Sequence, residues 1–117
     1  MLAGQNTFQQ ELDELVKGYL QRLPGKLESI QYIASSLNTA TDPCRVLHEL
    51  RTLVHRLAGS AGAYGCPDAG KAARDYEYLI DTCLECGIDP GSKDFEQLEK
   101  GLRRLETAIA HAVRVGD

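Results

Sequence analysis

The sequence predicts an all-α protein, an up-and-down four-helix bundle with an additional short N-terminal helix. Three observations carry that expectation. Apolar residues recur at steps of three and four through nearly the whole chain. No stretch shows sustained period-two alternation, so essentially no sheet is expected. The breaks between periodic segments hold Pro, Gly, Asn and Asp, which end and cap helices for identifiable stereochemical reasons. With 117 residues, the chain is sized for one domain over residues 1–117 and a single core.

The first stripe is Phe8, Leu12, Leu15, Val16, Tyr19, Leu20 and Leu23, with Asn6 or Thr7 as its cap. Pro24-Gly25 should break or kink it, because proline lacks the backbone donor that a helix interior needs. The stripe resumes at Leu27, Ile30, Ile33, Ala34 and Leu37, and "NTATDP" (38–43) reads as a loop rich in cap formers. The next helix starts with Asp42 as N-cap and Pro43 at the first helical position, where its missing N–H does no harm. It continues through Val46, Leu47, Leu50, Leu53, Val54, Leu57, Ala61 and Tyr64, and Gly65 ends it. Pro67 opens a fourth stripe of Ala69, Ala72, Ala73, Tyr76, Leu79, Ile80 and Cys83, which Gly87 and the turn "IDPGS" should close. The last stripe, Phe95, Leu98, Leu102, Leu105, Ile109 and Ala112, has the regular spacing of a helix packed at a shallow angle.

Composition narrows the function classes. Hydrophobic residues make up 43% and charged residues 26%, so a folded core is the expectation. A formal charge of −4 argues against nucleic-acid binding through a broad basic surface. No apolar run approaches the roughly 20 residues that span a bilayer. The opening "MLAGQNTFQQELDEL" lacks the basic and apolar regions of a signal peptide, so a cytoplasmic protein is expected. Cys83 and Cys86 have C-x-x-C spacing, and Cys44 with His48 could complete a zinc or thiol site. Free thiols on helices account for the four cysteines more simply, and no metal site is expected.

The segment "HRLAGSAGAYG" (55–65) is the candidate site. On a wheel centred on Leu50, with about 100° per residue, His55 falls at about 140° and Arg51 at about 100°. Gly59 and Gly62 fall at roughly 180° and 120° on the same wheel, away from the apolar stripe. Glycine in a helix costs ~1 kcal/mol relative to alanine, so two of them beside a solvent-facing imidazole call for a reason. They clear the helix face around the ring, so that a bulky group or another protein can come close. An exposed imidazole is a usable nucleophile near neutral pH. No Asp or Glu stands at helical spacing from His55, and neither Ser60 nor a cysteine is placed as a triad nucleophile. A bare histidine on a convex face suits a carrier of a chemical group better than an enzyme with a pocket.

Residues 54–65, "VHRLAGSAGAYG", resemble the signature of histidine-containing phosphotransfer (HPt) domains, roughly H-x-L-[KR]-G-[SA]-[SAG]-x-x-[hydrophobic]-G. Cys66, Ala69, Ala73, Tyr76 and Glu77 continue the register, and "YLQRLPGKLESI" (19–30) resembles the family's N-terminal helices. The likeness covers about residues 8–113. It implies that His55 accepts a phosphoryl group from a receiver-domain aspartate and passes it on within a two-component phosphorelay, with no kinase activity of its own. The implied partners are response-regulator receivers and a hybrid sensor histidine kinase. Mg²⁺ would belong to the receiver, and this chain would need no cofactor. The family often carries Lys or Arg three residues after its histidine, where this chain has Ala58. Arg51, with Lys71 or Arg74 from the next helix, is the candidate replacement for that charge. Ala58, Gly59 and Gly62 complete the expected partner-facing surface around His55. A helical adaptor or inhibitor that binds a receiver or kinase without carrying phosphate is the alternative reading.

Overall fold

A computed structural model describes residues 2–86 and 93–116, with side chains over 7–86 and 93–115. Four α-helices follow one another: α1 (Leu2–Ser35), α2 (Pro43–Ala63), α3 (Pro67–Cys86) and α4 (Lys93–Gly116). A single 3-10 turn, Ser36–Asn38, follows α1, and there is no strand among the described residues. Consecutive helices run antiparallel. Tyr19 of α1 reaches Ser60 of α2, His55 of α2 meets Glu77 of α3, and Gln31 of α1 donates to Glu106 of α4. The four-helix bundle is therefore as expected. No described helix is long and apolar enough to cross a membrane.

The additional short helix is not separate. Pro24 lies inside one continuous α1 of 34 residues. Proline costs about 3 kcal/mol in a helix interior. Leu23 and Ile30, on either side of it, are both fully buried, and each such side chain returns about 1.5–3 kcal/mol. One shared core thus holds both halves in line across the lost hydrogen bond. α1 also begins at Leu2, upstream of the expected caps Asn6 and Thr7.

A second departure concerns the start of the α1 stripe. Phe8, Leu12 and Leu15 are 61%, 40% and 56% exposed, whereas Tyr19 and Leu23 are buried. Helix α1 is longer than any of its neighbours, and the molecule measures 61 × 21 × 19 Å. The first turns of α1 outrun the bundle, so among the described residues their apolar face is only partly covered.

The boundaries of α2 follow its cap chemistry. The Asp42 carboxylate accepts from the Arg45 N–H at 3.3 Å, with Pro43 at the start of the helix. The helix ends where Gly65 adopts φ +81°, a left-handed conformation that glycine enters without a Cβ clash. Cys66 N–H bonds the Ala61 carbonyl at 2.8 Å and Gly65 N–H bonds Gly62 at 3.3 Å, the two bonds of a Schellman end. The expected stop of α3 at Gly87 and the "IDPGS" turn lie outside the described residues.

Buried titratable groups give the fold a pH dependence. Burial pushes the Tyr19 and Tyr76 phenols and the Cys66 and Cys83 thiols upward. Their neutral forms are the ones the folded state favours. The stability they contribute is complete below the free-thiol value of 9.0 and the free-phenol value of 10.0, and is lost as pH rises beyond these. The urea midpoint should therefore fall between neutral pH and about pH 11. In the native protein, exposed Cys44 and Cys86 should react with a thiol reagent while buried Cys66 and Cys83 wait for unfolding. Four thiols reacting together in the folded chain would contradict this packing.

Candidate functional site

The site is built on the α2–α3 hairpin, whose register is set by the short turn between Ala63 and Pro67. Gly70 is what lets the helices close. A Cβ there would stand 3.3 Å from the Gly62 backbone nitrogen and 3.6 Å from the Ala58 carbonyl oxygen. Moving down α2 matches moving up α3: Gly62 faces Gly70, His55 faces Glu77, and Arg51 faces Asp81. That regular register places charged groups of α3 beside the exposed face of α2.

The His55 side chain is 67% exposed, and its Nδ1 lies 2.9 Å from Oε2 of Glu77. Glu77 is only 15% exposed. An ionised carboxylate only accepts hydrogen bonds, so Nδ1 carries the proton and donates it. In the neutral ring the remaining lone pair is then on Nε2, which is left to solvent. Glu77 is itself held: an Arg51 guanidinium nitrogen lies 3.3 Å from its Oε2. Arg51 Nε in turn donates to Asp81 at 2.5 Å, and that bond, with the carboxylate charges around it, pushes the guanidinium further upward. A chain of four side chains thus runs Asp81–Arg51–Glu77–His55, and its end fixes the imidazole.

The other predicted site residues are sorted by the same geometry. Gly59 and Gly62 are exposed, and a Cβ on either would meet nothing within 4 Å, as the wheel implies. Ala58 is a correction. It is 7% exposed, and its carbonyl lies in the seam against Gly70, so it does not face a partner. Its position at about 80° on the wheel is the edge of the stripe that α3 covers. Lys71 is exposed and bonds Asp75 at 3.0 Å. Arg74 is exposed, and its side chain has neither an ion pair nor a hydrogen bond among the described residues. Ser60, set aside as a nucleophile, bonds the Tyr19 hydroxyl at 2.7 Å, and Tyr19 stacks on Tyr64 at 4.5 Å.

The helical spacing of α2 alone shows no acid beside His55. Glu77 and Asp81 are distant in sequence and come from α3. They stand one turn apart on α3, beside the buried positions Tyr76 and Ile80. That edge placement, combined with the short turn, is the signal that points to them. The zinc alternative is not assembled: among the described residues no three His, Cys, Asp or Glu side chains group as metal ligands. Cys83 is buried and Cys86 exposed at the last residue of α3. A cleft of about 690 Å³ lined by Asp13, Val16, Leu20, Pro24 and Val113 does not include His55.

Comparison with known proteins gives one finding. The family model described as Hpt domain matches residues 6–108, which include the whole α2–α3 hairpin. No curated protein and no solved structure matches the chain.

Proposed function

The chain belongs to the Hpt domain family, and on that premise we propose that it carries a phosphoryl group on Nε2 of His55 between receiver-domain aspartates. Hpt domains serve histidine phosphotransfer in phosphorelays, exchanging the group with receivers and kinases. The observation that carries the reading for this chain is the state of the ring: exposed, anchored through Nδ1 by Glu77, with Nε2 unencumbered.

The chemistry follows from that anchoring. The Nε2 lone pair attacks the phosphorus of an aspartyl phosphate in line with the bond that breaks. The P–O electron pair returns to the aspartate carboxylate as the P–N bond forms. Nδ1 keeps its proton, so the phosphorylated ring is an imidazolium and its positive charge faces the Glu77 carboxylate. Glu77 is thus a positioning group whose attraction grows as the reaction proceeds, which is the direction that lowers a barrier. Arg51, braced by Asp81, keeps the carboxylate aimed. The reverse sequence returns the group to a second receiver.

The open floor of Gly59 and Gly62 admits the receiver surface. In this reading the chain is a carrier with no kinase activity of its own, supplied by a hybrid sensor histidine kinase and working in the cytoplasm. Any Mg²⁺ is held by the receiver, and the chain needs no cofactor.

The test is transfer from a receiver labelled on its aspartate with radioactive phosphate. Label should move to the wild-type chain as an acid-labile, base-stable adduct and should not move to His55→Gln. A chain that binds the receiver but takes no label would be the adaptor of the alternative reading.

A further inference from the structure

We propose that Arg74 supplies the positive charge that meets the phosphoryl group on His55, reaching it from α3 at the level of Ala58. The inference rests on the reading of His55 as phosphoryl acceptor. A phosphoryl group on an exposed nitrogen presents anionic oxygens, and a guanidinium is well suited to them because its planar fork donates several N–H bonds.

Three cations were candidates, and the geometry separates them. Arg51 has both ends of its guanidinium engaged with carboxylates, Glu77 at 3.3 Å and Asp81 at 2.5 Å. Drawing it toward phosphate would release the residue that aims the imidazole. Lys71 is paired with Asp75, and it lies six residues from Glu77, about 120° around α3 from the site. Arg74 lies three residues before Glu77, on the adjoining part of the same face.

The register puts Arg74 in place along the helix axis as well. With Gly62 facing Gly70 and His55 facing Glu77, the α3 position level with Ala58 is Arg74. Its side chain turns back along α3: one terminal guanidinium nitrogen is 3.6 Å from where a Gly70 Cβ would sit, and that point is itself 3.6 Å from the Ala58 carbonyl oxygen. The guanidinium therefore lies along the α2–α3 seam on the Gly62 side of Ala58, and a change of rotamer turns it the other way, toward His55. Ala58 is buried in the same seam and carries no charge. No carboxylate among the described residues neutralises Arg74, so its charge is available to an incoming anion.

The test uses the protein with potassium phosphoramidate as donor. The Nε2 lone pair forms the new P–N bond as the donor's P–N bond breaks and its electron pair leaves on ammonia. Arg74→Ala should slow labelling of His55 about fivefold, the size of a well-placed surface charge interaction. Arg74→Lys should recover part of the rate, and Lys71→Ala should match wild type. Added salt should slow the wild type more than Arg74→Ala, since the screened charge is absent from the variant. Thermal melts confirm that the variants fold. Arg74→Ala labelling at the wild-type rate with wild-type salt dependence would overturn the assignment while leaving His55 as acceptor. A wild-type chain that takes no phosphate on His55 would overturn the acceptor reading and this one with it.

Discussion

Gly59→Gln should fold at least as well as the wild type and lose phosphoryl transfer from a receiver on the order of 100-fold. Both halves of that result come from the same fact. A Cβ at Gly59 meets nothing within 4 Å, so the new side chain starts into open space on the exposed face. Replacing glycine inside a helix with a better helix former recovers up to ~1 kcal/mol, so the melting temperature should rise. The same side chain stands one turn from His55 and fills the space through which a receiver must bring its aspartate. A displacement of about 1 Å at the reacting atoms is enough for a loss of that size. Gly59→Ala should keep the gain in stability and most of the transfer. Normal transfer by Gly59→Gln would mean that the face around His55 is not where a receiver docks.

The second large effect is at Glu77. Glu77→Ala removes the only group among the described residues that is bonded to the His55 ring. Transfer should fall roughly 10- to 100-fold, by analogy with losing the group that orients the other nitrogen of a metal-ligating histidine. Ring nitrogen spectra should show the neutral imidazole dividing between its two tautomers in the variant, where the wild type holds Nδ1–H. Glu77→Gln keeps an accepting oxygen and should retain the Nδ1–H tautomer while losing the carboxylate charge that steadies the phosphorylated imidazolium. Its transfer rate should therefore lie between those of wild type and Glu77→Ala. A single tautomer in Glu77→Ala would show that something other than Glu77 aims the ring.

Much of this molecule is legible in the chain. The α2 boundaries are local chemistry, Asp42 and Pro43 at one end and Gly65 at the other, and each acts where the sequence places it. The exposed face of α2 follows from helical periodicity alone, which is why His55, Gly59 and Gly62 appear where the wheel sets them. What periodicity does not contain is the neighbour. Pro24 reads locally as a break, yet α1 continues because Leu23 and Ile30 are buried in one core formed with the other helices. Phe8, Leu12 and Leu15 read as core, yet the described residues leave them largely exposed because α1 is longer than its neighbours. Ala58 reads as surface until α3 closes on it through Gly70. Glu77 and Asp81 belong to the site only because the antiparallel register of α2 and α3 delivers them.

The central claim is that one ring atom of one histidine carries the phosphoryl group. The chain has three histidines, and His48 and His111 are exposed as His55 is, so exposure alone does not choose among them. Phosphorus–nitrogen correlation NMR on the phosphorylated protein, with its histidine rings labelled with ¹⁵N, reads the bonded atom directly. The account predicts phosphorus on Nε2 of His55, a proton retained on Nδ1, and no phosphorus on His48 or His111. Phosphorus on Nδ1 of His55, or on either of the other histidines, would contradict it.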